Sequence, residues 1–119
     1  MMLEAELVAL WKGAVGGRIY PDTTPDVPQF PLATFQQVGG QARWYLEKKV
    51  PDHRHARIQV NVWAKSRMEA NQIALALARL LAESALVAEP YGEFEALYDE
   101  HLKLYGTRQD FGIWHRDTE

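Results

Sequence analysis

The chain has 119 residues, 47% of them apolar, a formal charge of −3 and no cysteine. That length predicts one domain, spanning 1–119, with a core large enough to need no staples. The missing cysteine excludes disulfides and thiolate metal sites. Glu4 and Glu6 stand where a secretory leader would be basic, and no apolar run approaches the ~18 residues of a bilayer span. The expectation is a soluble protein made in the cytoplasm, with no membrane association.

In chain order, Leu3, Leu7, Leu10 and Trp11 share one face of a helix over roughly 3–12. Gly13, Gly16 and Gly17 end it, because glycine takes the left-handed cap conformation without a Cβ clash. Residues 18–20 predict a short strand. Pro21, Pro25, Pro28 and Pro31 make 21–31 an ordered, extended loop, since proline resists both helix and central strand. A strand over 32–38 leads to Gly39-Gly40, a hairpin signal. Residues 41–46 are expected to pair back as a further strand, with 48–55 as a polar tip. The basic stretch 41–55 reads either as a mobile hairpin or as a plain surface turn.

The clearest segment is 56–81. Ile58, Val60 and Val62 alternate with Arg57, Gln59, Asn61 and Trp63, the period of a half-buried strand. Ser66 and Glu69 then form a capping box, and Ala70, Ile73, Ala74, Leu77, Leu80 and Leu81 fall on one face of a helix. Residues 84–92, containing Pro90, read as a linker. Phe94, Ala96 and Tyr98 share one side of a strand over 93–98, and 99–105 is ambiguous between extended chain and a helical turn. The last strand, 107–115, sets Phe111 and Ile113 against Trp114, and 116–119 should fray. The predicted fold is α+β, a mainly antiparallel sheet of four to five strands with two helices on one face, in the order α-β-β-β-β-α-β-β.

Candidate chemistry is sparse. His53 and His55 are two apart beside Asp52, but spacing places no third metal ligand, and a solvated turn is the simpler reading. His101 and His115 are isolated, and Asp99-Glu100 would diverge in regular structure. The chain has no G-x-S-x-G, H-E-x-x-H, G-x-x-x-x-G-K-[ST] or G-x-G-x-x-G motif. No catalytic residue, metal site or cofactor is therefore expected.

Contact residues are the better candidates. Trp63 and Trp114 fall on the polar parity of their strands, so they either plug the sheet within the monomer or mark an interface. Met68, Leu75 and Ala82 repeat every seven residues, with Ala78 nearby; either the first helix covers them or they form a seam for a second subunit. Charge is polarised. Arg43, Lys48, Lys49, Arg54 and Arg57 face only Glu47 and Asp52 over 41–57, whereas eight acids face Lys103, Arg108 and Arg116 over 89–119. These are either two solvated surfaces or complementary patches that meet between copies.

The run R-I-Q-V-N-V-W-A-K-S-R-M-E-A at 57–70, before an Ala/Leu helix, resembles the signature of a phage tail-completion family related to the tail terminators of long-tailed phages. G-G-R-I-Y-P-D at 16–22, the proline loop entering Pro31-Leu32, Leu104-Tyr105 and D-F-G-I-W-H at 110–115 are similar to that family in the same order. The least typical part is 41–55. The resemblance implies a structural virion protein, in an active phage or a prophage, made in the host cytoplasm and ending in the virion tail. It implies a ring, a hexamer in terminators, that stops tube growth, with the tail tube protein and the head–tail connector as partners. No catalytic residues come with it.

On that reading Arg43 with Lys48 and Lys49 meets acids of a neighbour, the candidates being Glu93, Glu95, Asp99 and Glu100, while Trp63 or the Met68/Leu75 seam supplies burial and Arg57 and Trp114 join the interface. The alternatives are a head–tail joining (neck) protein, a small ferredoxin-like ligand-binding protein or enzyme, and a single-strand nucleic-acid binder. The last would use Arg43, Lys48, Lys49 and Arg54 with Trp44 and Tyr45. Five cations beside so acidic a C-terminal third make nucleic acid the weaker reading.

Overall fold

The computed structural model describes residues 2–44, 46 and 52–116. Helix α1, Leu3–Trp11, tightens into a 3-10 turn over Lys12–Val15. Gly16 closes it at φ 58°, and the Gly17 N–H reaches back to the Lys12 carbonyl at 2.8 Å, the left-handed exit that glycine permits at no Cβ cost. Strands β1, Ile19–Pro21, and β2, Leu32–Gln37, precede the long β3, His53–Ala64. Helix α2, Arg67–Ala82, follows, with Ser66 as its N-cap: Ser66 Oγ accepts from the Glu69 N–H at 3.1 Å. Then come β4, Val87–Pro90, β5, Glu95–Asp99, and β6, Leu104–Arg116.

The strands form one sheet in the order β1-β2-β3-β6-β4, with β5 also paired to β6. β4 meets β6 around Ala88 and Ile113, and β5 meets it around Leu97 and Gly106. Among the described residues only the β1–β2 pair is parallel. A 13-residue strand spans ~43 Å at ~3.3 Å per residue, so the β3–β6 ribbon accounts for a molecule 52 Å long and 27 Å across.

The fold is α+β as expected, but two details of the order are corrected. No strand forms between 41 and 46 among the described residues, and 87–90, expected to be linker, is β4. The described sheet therefore has six strands, in the order α-β-β-β-α-β-β-β. The reason lies at Gly39-Gly40. The ladder of β3 runs on past β2: Val38 N–H donates to Arg57 O and Arg57 N–H to Gly39 O, both at 2.8 Å. Gly40, at φ 146°, then lies so close to β3 that a Cβ would overlap the His55 carbonyl. Gly40 serves close approach rather than a hairpin, and the chain beyond it leaves the sheet.

Both helices cover one sheet face. Leu3, Leu7 and Trp11 of α1 and Ile73, Leu77 and Leu81 of α2 share a core with Ala33, Phe35, Ala56, Ile58, Val60, Val62, Phe111 and Ile113. Each large side chain so buried contributes about 1.5–3 kcal/mol. Trp11 fixes the helices to each other: its indole N–H donates to the Leu77 carbonyl at 3.0 Å, and its ring meets Phe35 edge-on at 5.7 Å. The other sheet face carries Arg57, Gln59, Asn61 and Trp63 and has no helix over it.

Candidate assembly surface

The helix-free face holds a connected polar system. Arg57 Nε donates to Asp110 Oδ2 at 2.8 Å, and its guanidinium lies 5.0 Å from the Tyr91 ring centre. His55, only 5% exposed, uses both ring nitrogens. Nδ1 accepts the Gln41 N–H at 3.0 Å, so the neutral ring carries its proton on Nε2, which faces the Tyr91 hydroxyl at 3.1 Å. Tyr91 in turn donates to Glu89 at 3.4 Å. The Tyr91 phenol is raised above its ordinary value of 10.0, by desolvation first and then by the Glu89 carboxylate, with Arg57 opposing. Gly112 makes room for this stack, since a Cβ there would lie 2.7 Å from His55 Nε2. Further along, Arg108 pairs with Glu95 at 2.8 Å.

At the His53 end of the ribbon a limb leaves the body. Gln41 is tied to His55, but Trp44 is 70% exposed and Leu46 fully so. Arg43 and Trp44 line a cleft of about 440 Å3 with His53, His55 and Trp114. Trp114 meets His55 edge-on at 4.7 Å. Large apolar side chains standing in water mark contact surfaces when they cluster.

The opposite face has its own gap. Helix α2 lies over β3 and β6, but α1 does not reach its far side. Leu75 there is 52% exposed and Met68 70%. Leu75, Ala78 and Ala82 form one wall of an apolar groove of about 510 Å3, with Ala88, Pro90 and Phe111 opposite and Glu89 and Glu93 at the edge.

Residues 5–116 of the 119 match the model of a family described as Tail completion protein gp17. The chain belongs to that family. It is thus a phage tail-completion protein, a structural component of the virion tail. No curated protein matches it. Among the described residues, no helix is long and apolar enough to cross a membrane, and no three His, Asp or Glu side chains gather as a metal would need.

For a tail-completion protein the surfaces of interest are contacts with other tail components. The residues expected to form them are scattered. Arg57 and Asp110 pair within the monomer, as do Glu95 and Arg108. Asp99 accepts the His101 and Leu102 N–H groups at 3.0 and 3.1 Å and so caps the turn into β6. Trp63 is partly buried against Gly106. Arg43 and Trp114 come together in the cleft at the limb, Leu75 and Glu93 at the groove. Met68 and Glu100 are exposed. Lys48 and Lys49 lie outside the described residues.

Sequence reasoning passed over Arg67, Tyr91 and His55 as a set. Arg67 Nη1 donates to the Gly106 carbonyl at 2.8 Å and Nη2 to the Leu97 carbonyl, and the guanidinium lies 5.3 Å from the Tyr105 ring centre. It pins the start of α2 to both β5 and β6. No local pattern announces such a residue, because its partners lie 30 and 39 positions away.

Proposed function

We propose that this protein caps the growing tail tube as an oligomeric ring, ends tube polymerisation and presents a surface for head attachment. The partners are further copies of itself, the tail tube protein and the head–tail connector, met first in the host cytoplasm and then in the virion. The observation that carries this reading is that one monomer exposes two unlike apolar surfaces: a limb with Trp44 and Leu46, and the groove along α2. A head-to-tail interface joins two different patches on each subunit and closes into a ring when the rotation allows. Family membership supplies the setting. Charge polarity between the basic 41–57 and the acidic 89–119 supports an oriented encounter between copies.

The test is electron microscopy of a lysate of the parent phage lacking this gene. Overlong tubes beside tailless filled heads are expected. Tails of normal length that fail to join would assign the protein to joining instead. Intact infectious virions would overturn the capping role.

A further inference from the structure

We infer that Trp44 of one copy, with Leu46 beside it, seats in the α2 groove of the next copy. This rests on the ring reading above and names its contact. Trp44 and Leu46 are, with Met68, among the most exposed large apolar side chains described. The groove walled by Leu75, Ala78, Ala82, Ala88, Pro90 and Phe111 measures about 510 Å3, within the ~300–1,000 Å3 of sites that take a bulky group.

Two observations make the occupant a second copy. Trp44 stands with His55 and Trp114 on the helix-free side of the sheet, whereas the groove opens on the helix side, between α2 and β4. A limb on one side and a groove on the other suit a neighbour better than the same chain. The groove edge carries Glu93, while the limb carries Arg43, with Lys48 and Lys49 next in sequence. Opposite charges flanking an apolar insertion fix its register. Finally, a lone aromatic entering a desolvated pocket is the usual form of an interface anchor.

The cysteine-free chain makes the test direct. One preparation carries Leu46→Cys, a second carries Ala82→Cys, and the two are mixed with a short bis-maleimide. A covalent pair of chains should form in the mixture and in neither preparation alone. Adding Trp44→Ala to the first chain should cut the yield roughly tenfold or more, the scale of a tryptophan anchor, with the circular dichroism spectrum unchanged. Native mass spectrometry of the uncoupled protein, alone and with tail tubes, runs in parallel. Rings without the cross-link would overturn the groove contact and leave the ring standing. Monomers under both conditions would overturn both. A cross-link that survives Trp44→Ala, that forms within one doubly substituted chain at high dilution, or that joins Ala82→Cys only to the tube protein would also overturn the inference.

Discussion

The ring of Trp63 lies directly against Gly106 across the β3–β6 ladder: a Cβ at position 106 would sit 2.7 Å from two atoms of the indole. The bare backbone of Gly106 is therefore what lets a tryptophan lie on the sheet. Gly106→Ala should destabilise the protein by about 1–3 kcal/mol, the usual cost of forcing volume into a packed site. The loss should shrink in a Trp63→Ala background, because the clash is with that ring. A double-mutant cycle from urea unfolding reads the coupling; additive effects would place the strain elsewhere.

Arg67 gives a second test. Two of its charged hydrogen bonds reach the Gly106 and Leu97 carbonyls, and a third reaches Asn71 Oδ1 at 3.3 Å. Each such bond contributes about 1.5–3 kcal/mol, less here because the group is only partly buried. Arg67→Lys should lose most of what Arg67→Ala loses, since one ammonium cannot span two carbonyls as a planar fork does. Hydrogen exchange should rise chiefly in β5, the strand held through Leu97. Full protection with lysine would show that charge alone suffices.

The Tyr91 hydroxyl sets a pH dependence. Its phenol is raised, so the folded state keeps the proton longer than the unfolded chain. Any stability from this group is complete below the ordinary tyrosine value and is lost as pH rises through the folded one. Phenolate absorbance, taken as the difference from Tyr91→Phe, should show a transition above 10.0. Glu89→Gln should move it down by removing a nearby anion, and Arg57→Gln should move it up. Shifts in the opposite senses would mean that the Arg57–Tyr91–Glu89 arrangement does not persist in solution.

Charge bears on assembly separately from fold. Reversing Lys48 and Lys49 to glutamate should slow or weaken association at low salt while leaving the monomer fold intact. Raising ionic strength should erase the difference between variant and parent. Equal assembly rates at low salt would remove those lysines from the contact.

What the sequence made legible follows from local period. The alternation through Ile58, Val60 and Val62, the Ser66 cap and the helical face through Ile73 and Leu77 each lie within a few residues, and each appears in place. Strand β4 escaped because only Ala88 of its four residues is even partly buried and it ends in Pro90; it is a strand only because β6 offers an edge. The segment after Gly40 was misread for the converse reason: a glycine pair looks the same whether it turns a hairpin or lies against a neighbouring backbone. At the candidate contact surface, the exposed seam at Met68 and Leu75 was visible as a heptad. The groove that Leu75 lines was not, since its other wall, Ala88, Pro90 and Phe111, is assembled by pairing between β4 and β6.

The position of β6 at the centre of the sheet has a consequence for how the molecule is made. β3, β4 and β5 all pair with it, yet it is translated after every one of them. Arg57 meets Gly112, 55 positions further along the chain, a closure whose entropy must be met before its contacts repay it. A nascent chain short of residue 104 can close β1, β2 and β3 but leaves the groove without the strand that carries Phe111. A ribosome-bound or truncated copy therefore lacks the finished groove, and under the proposed ring contact such a fragment cannot receive a neighbour there.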